Sequence, residues 1–175
     1  LGILKEVLQP GANDVYVVEN EAKKQILLPV IPDVVKKVDN KDQRQIKLMQ
    51  DLSEFYHYQL LINSQSEANK YLESRNLSKE ISDEFKIGYC PTDGLASIKY
   101  LQSKGYSPVE IIECGVGVET SDGRILDRLR GRLTFPLWDT LGRVVAFSGR
   151  RINDKLEQKY LNTPETSLFH KSDVL

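Results

Sequence analysis

Polar and apolar positions change their rhythm twice along the chain. Across residues 1–38 they alternate in short runs, "ILKEVL", "VYVVEN" and "QILLPVI", which predicts strands. Pro10, Gly11 and Asn13 supply turn chemistry between the first two. Pro29 and Pro32 suit a strand end or edge, and "VVKKVD" reads as a last short strand. From residue 40 the period lengthens. Ile46, Met49, Leu52, Tyr56 and Leu60 recur at spacings of three or four, predicting a helix of about six turns with one apolar stripe.

Shorter helices follow. Ser64 with Glu67 reads as a capping box for "EANKYLESR", which Asn76 closes. Ser78 caps "KEISDEF", and Gly88 is read as its end. "LASIKYLQSK" stops at Gly105, and "SPVE" at 107–110 opens a helix that stops at Gly115. Beyond it alternation returns. "GRLTFPLWD" and "GRVVAFSGR" read as two strands joined by a "DTLG" hairpin turn. "RRINDKLEQKYLN" has neither period and reads as a loop. The fold class is therefore α+β: a β segment over 1–39, then helices and a small mixed sheet over 40–175.

Composition alters this little: 40% hydrophobic and 28% charged residues are ordinary for a globular protein. No apolar run reaches the roughly 18–20 residues that span a bilayer, so no membrane partner is expected. Cys90 and Cys114 stand apart from any ligand-like partner. They read as free thiols in a reducing, cytoplasmic compartment. The first residue is Leu, so the chain is expected to begin inside a longer reading frame.

Charge changes the picture more. Residues 1–120 carry 14 basic and 18 acidic side chains, whereas residues 121–175 carry 10 and 7. A local basic surface on a near-neutral chain suits an anionic partner, most simply phosphate. In "DRLRGRL", Arg128, Arg130 and Arg132 are spaced two apart and would share one face of a strand. Arg143 and Arg150 would extend the patch across the hairpin. Lys159 and Tyr160 pair a cation with an aromatic ring, as single-strand binding surfaces do. The bland alternative stays open: Asp127, Asp139 and Glu165 would neutralise these charges on a solvated surface. His170 and Lys171, between Phe169 and Ser172, would hydrogen-bond a loop, and His57 would sit on the surface or in the packing of the long helix. No GxGxxG, Walker, GxSxG, HExxH or paired-carboxylate motif is present, so no catalytic residue is assigned.

Specific motifs go further. "RLRGRLTFPLWDTLGRVVAFSGRRI", "QKYLNTPETSLFHKS" and "YLESRNLSKEISDEFKIGYCP" resemble the RNA-polymerase core of bacterial DnaG-type DNA primases. That family shows "RFRxRIxFPI", "GRVIGFGGR", "PKYLNSPET" and "FHK". This chain departs from it with Leu129 for an aromatic residue, Ser148 for a glycine and Gln158 for a proline; none of these removes a charge. The resemblance covers about residues 40–175 and implies the N-terminal subdomain of the core. It also implies a basic ridge for the single-stranded DNA template and RNA primer, on Arg128, Arg130, Arg150, Lys159 and Lys171 with Tyr160 beside them. By the same resemblance, Mg or Mn and their carboxylates belong to a Toprim subdomain expected after "KSDVL". The zinc-binding domain and any contact with the replicative helicase would lie elsewhere too, so no cofactor is assigned to this chain. Residues 1–39 instead resemble, in "GANDVYVV" and "LLPVIPDVV", half of the PRC-barrel of the RimM ribosome-maturation factor. A chimera joined near Asn40 is expected, with self-association through open strand edges. An interaction or ribosome-maturation module, and a folded chimera with no evolved function, are the alternatives to a primase part inactive on its own.

Overall fold

The computed structural model describes residues 3–8, 15–19 and 25–29, as backbone, and residues 40–63, 66–152 and 158–169. Leu1–Asp39 and Asn40–Leu175 are separate compact units. In the first, Ile3–Leu8 (β1), Val15–Glu19 (β2) and Gln25–Pro29 (β3) form an antiparallel sheet in the order β1-β2-β3. Its register runs Val15↔Leu8 on one side and Val15↔Pro29 on the other. Pro29 thus ends a strand that lies at the sheet edge among the described residues, where proline is tolerated. The expected strand at "VVKKVD" lies outside the described residues.

The second unit is built on helix Asn40–Ile62 (α1). Its buried side chains are Gln45, Leu48, Met49, Leu52, Ser53, Tyr56, His57 and Leu60, whereas Ile46 is half-buried. His57 donates from Nδ1 to the Ile87 carbonyl at 2.8 Å, with Nε2 3.3 Å from Asp83; it is a packing residue. Helix Glu67–Ser74 (α2) is capped by Ser66, whose Oγ accepts the Asn69 N–H. The predicted cap Ser64 lies outside the described residues. The cap falls at Ser66 because the Asn69 amide also donates to the carbonyls of Leu60 and Asn63 at 2.9 and 2.8 Å, fixing the corner between α1 and α2. Asn76 closes α2 at φ 56°, and Ser78 caps Lys79–Glu84 (α3).

Gly88 does not end α3, which turns at Phe85 and at Lys86 (φ 50°). It opens strand Gly88–Cys90 (β4). A Cβ there would lie 2.5 Å from the Tyr56 carbonyl carbon, so glycine lets the strand lie directly on α1. Helices Ala96–Ser103 (α4) and Pro108–Glu113 (α5) follow, the latter with the full capping box of Ser107 and Glu110. Gly117–Glu119 (β5) and Ile125–Asp127 (β6) then make a two-stranded sheet. Arg132–Trp138 (β7) and Val144–Arg151 (β8) form the expected hairpin.

The segment read as a loop contains one more strand, Tyr160–Asn162 (β9), completing an antiparallel sheet β4-β7-β8-β9. Three residues are too few for a period to show in the sequence. Cys90, Leu129, Val144 and Phe147 pack with α1 and α4; Leu133 packs with Leu60, Ala68, Leu72 and Ile87. With both faces of the sheet covered, β7 loses the one-sided alternation: Arg132, Leu133, Thr134 and Pro136 are all buried. The fold is α+β. Cys90 and Cys114 are free and buried, and burial pushes the Cys114 thiol up to about 12. No described helix is long and apolar enough to cross a membrane.

Candidate nucleic-acid interface

The three arginines of "DRLRGRL" do not lie along one strand. β6 ends at Asp127 and β7 begins at Arg132, leaving Arg128–Gly131 as a turn. Asp127 makes this turn. Its side chain is 1% exposed; Oδ1 accepts the Leu129 N–H at 2.8 Å, and Oδ2 accepts the hydroxyls of Tyr56, at 2.6 Å, and Ser97. Burial pushes this carboxyl up while the three donors oppose the shift. Gly131, at φ 71°, closes the turn and donates to the Cys90 carbonyl.

The side chains consequently diverge. Arg128 turns inward and donates from Nε to the Gly115 carbonyl at 2.9 Å. Arg130 is exposed and reaches the Asp127 carbonyl at 3.2 Å. Arg132 is only 5% exposed and donates to the Gln158 carbonyl at 2.8 Å. It pairs in register with Arg151 across β7 and β8. Burial, then the charges of Arg151 and Arg130, hold the Arg132 guanidinium below its ordinary value. Arg130 and Arg132 thus place like charges close together at this end of the sheet, a surface that suits a polyanion.

Arg143 is apart from them. It sits in the turn of the hairpin, seven residues from Arg150, roughly 23 Å at strand rise. Asp139 neutralises it, with contacts of 2.7 Å to Nε and 2.6 Å to Nη2. The bland alternative thus holds for Arg143.

Arg150 and Tyr160 face each other across β8 and β9. The guanidinium lies 5.1 Å from the Tyr160 ring centre and 4.7 Å from that of Tyr71 on α2. Its Nη1 donates to the Tyr160 hydroxyl, while its Nε is buried without a hydrogen-bond partner. Lys159 places Nζ 5.8 Å from the Tyr160 ring. Among the described residues, Arg130, Arg150 and Lys159 have no carboxylate at ion-pair distance. Lys171 and His170 lie outside the described residues.

Arg130, Arg132, Arg150, Lys159 and Tyr160 thus gather at one end of the four-stranded sheet. Tyr71 and the turn-forming role of Asp127 were not legible in the sequence. Tyr71 meets Arg150 from 79 residues away, and no local spacing marks such a contact. Among the described residues no group of three or more His, Cys, Asp or Glu side chains is placed to hold a metal ion.

Known proteins share this architecture. The chain is 39% identical over 129 residues to the DNA primase of Haemophilus influenzae, covering 74% of this chain and 21% of that protein. It is 34% identical over 170 residues to the DNA primase of Halalkalibacterium halodurans, covering 94% and 28%. The chain therefore spans between a fifth and a third of the length of these relatives. Residues 40–175 are less than four-fifths of the chain, so the second alignment takes in part of residues 1–39. The RNA polymerase domain of Mycobacterium tuberculosis primase DnaG is similar at 32% identity and a TM-score of 0.70, covering 74% of this chain and 42% of that one. A DnaG primase catalytic domain bound to ssDNA is similar at 36% identity and a TM-score of 0.64, covering 74% and 40%. The model of the DNA primase catalytic core, N-terminal domain, matches residues 55–175. With more than half of its length inside that match, the chain belongs to the DNA primase catalytic core N-terminal domain family.

Proposed function

We propose that this chain is the template-handling part of a DNA primase, a nucleotidyltransferase that makes RNA primers in DNA replication. The carrying observation is that Arg150 and Lys159 lie against the Tyr160 ring, with Arg130 and Arg132 at the same end of the sheet. A related catalytic domain is bound to ssDNA, and single-stranded DNA is the ligand assigned to this face, with Lys171 and the nascent RNA primer beside it. Phosphates would lie against the cations, and the surface would be tolerant of base sequence. The test is fluorescence anisotropy with a labelled single-stranded oligonucleotide across a salt series. Binding that weakens linearly in log–log form, by about 0.7 per phosphate contacted, is expected. No binding at low salt overturns the assignment.

The chemistry of primer synthesis is assigned to other parts of the enzyme. Two-metal phosphoryl transfer needs clustered carboxylates, which by resemblance belong to the Toprim subdomain with Mg or Mn; helicase contact is assigned outside the chain as well. The purified chain, given template, nucleotides and Mg²⁺ or Mn²⁺, is expected to make no primers, and labelled oligonucleotide products would contradict this. A cytoplasmic location fits the free thiols.

For residues 1–39 we propose a RimM-like half of a PRC-barrel joined to the primase part as a chimera. Its motifs, its three-stranded meander and the start of the family match at residue 55 favour this; the long alignment to the Halalkalibacterium halodurans primase weighs against it. Among the described residues β1 and β3 are edge strands, and edges invite pairing between chains. Light scattering is expected to detect a dimer, and a monomer at high protein concentration would contradict self-association.

A further inference from the structure

Two turns interlock beneath Arg130. The first, residues 91–94, follows β4; its Gly94 N–H donates to the Pro91 carbonyl at 3.2 Å. Asp93 then starts α4, its Oδ1 accepting the N–H groups of Leu95 and Ala96 at 2.9 and 3.3 Å. The second turn, residues 128–131, is tied to the first from both ends. The Asp127 N–H donates to the Gly94 carbonyl at 2.8 Å, and the Gly131 N–H to the Cys90 carbonyl at 2.9 Å. Gly94 has φ 64°, and a Cβ there would lie 3.0 Å from Cδ and 3.3 Å from Cβ of Arg130. Glycine at this position is the seat on which the Arg130 stem rests.

Every polar atom of Asp127 is engaged. Beside its N–H, its carbonyl accepts Arg130 Nη1 at 3.2 Å and the Arg130 N–H at 3.4 Å. Its carboxylate accepts the Leu129 N–H and the hydroxyls of Tyr56 and Ser97. Tyr56 is on α1 and Ser97 on α4, and they are 0% and 1% exposed, so neither can touch a ligand. A buried carboxylate with all its partners has one orientation; removing a donor leaves it partly unsatisfied. Among the described residues no carboxylate at ion-pair distance holds Arg130. The turn alone sets its direction.

We infer that Tyr56, Ser97 and Gly94 are positioning residues for single-strand binding. They act from beneath the surface, through Asp127 and the Arg130 stem, to aim Arg130 before a strand arrives. A cation ordered in advance loses less freedom on binding. The inference rests on the single-stranded DNA binding proposed above.

The test is a mutant cycle on the full chain, read by anisotropy of a labelled single-stranded DNA oligonucleotide across a salt series. Arg130→Gln is expected to reduce the salt slope of wild type by about 0.7, one phosphate on a single strand. The double variant Tyr56→Phe/Ser97→Ala should weaken binding in the same direction. In that background Arg130→Gln should change the slope by less than in wild type, because the contact it removes is already misplaced. Arg150→Gln should have its full effect in both backgrounds, since tyrosine rings rather than this turn hold Arg150. A merely structural role for the hydroxyls would not single out Arg130. Thermal melting keeps each measurement below unfolding. If the double variant does not fold, Gly94→Ala, whose Cβ presses on the Arg130 stem, takes its place in the cycle. Failure of the wild-type chain to bind removes the proposed function itself. With wild type binding, an Arg130→Gln effect of equal size in both backgrounds overturns the positioning role alone. So does an Arg150→Gln effect that shrinks along with it.

Discussion

Single residues separate into two electrostatic kinds that the sequence does not distinguish. Arg143 and Arg150 are both arginines flanking a hydrophobic strand, yet one closes a turn on Asp139 and the other lies between two tyrosine rings with a buried, unpartnered Nε. Arg150→Ala is therefore expected to lower the salt slope of single-strand binding by about 0.7. Arg143→Ala should leave that slope unchanged, and anisotropy on the two variants checks both. Tyr160 follows the same logic. Its ring, read from the sequence as a platform for a base, already carries Arg150 and Lys159. Its replacement should therefore disturb the cations as well as any stacking. The basic residues were legible as a composition bias, but their partners were not, because each partner arrives through tertiary contact. Asp127 shows this best: it was read as a counter-charge and is a buried acceptor for Tyr56, Ser97 and the Leu129 N–H.

Among the elements, helices were easier to foresee than short strands. Ser78, Ser107, Pro108, Asn76 and Gly105 act locally, and the structure uses each where its chemistry is cheapest. β4, β5, β6 and β9 have three residues each, below the length at which alternation carries information. Gly88 illustrates the cost of a purely local view, since its role is contact with α1. Gly88→Ala places a Cβ 2.5 Å from the Tyr56 backbone and should destabilise the fold by about 3 kcal/mol, measured by denaturant unfolding. The start of α5 gives a pH test. The Arg44 guanidinium, then the Ser107 backbone N–H and hydroxyl, hold the Glu110 carboxyl down at about 2. Arg44 also donates to the Gly105 carbonyl at 2.8 Å, tying α1 to this corner. A carboxyl depressed in the fold stabilises it above its unfolded value of 4.5 and loses that contribution as pH falls toward 2. Glu110→Gln should therefore melt below wild type at pH 7, with the gap closing between about pH 4.5 and 2. A gap independent of pH would contradict the linkage.

For the whole molecule, the α+β class was legible because the hydrophobic period itself switches near residue 40. The position of the basic face was not, because it depends on how β7, β8 and β9 bring their ends together against α2. The central claim is one of location: single-stranded DNA lies on that end of the sheet. A second aromatic region, exposed Tyr58 beside half-buried Phe55 and Tyr100 near Glu54, gives a distinct surface against which to judge it. The most direct measurement is amide chemical-shift mapping of the isotope-labelled chain during titration with a short single-stranded oligonucleotide. The account predicts the largest shifts at Arg130, Arg150, Lys159 and Tyr160, extending to Tyr71, with Arg143 unmoved. Shifts centred on Phe55, Tyr58 and Tyr100, with none at Arg150 and Tyr160, would contradict it.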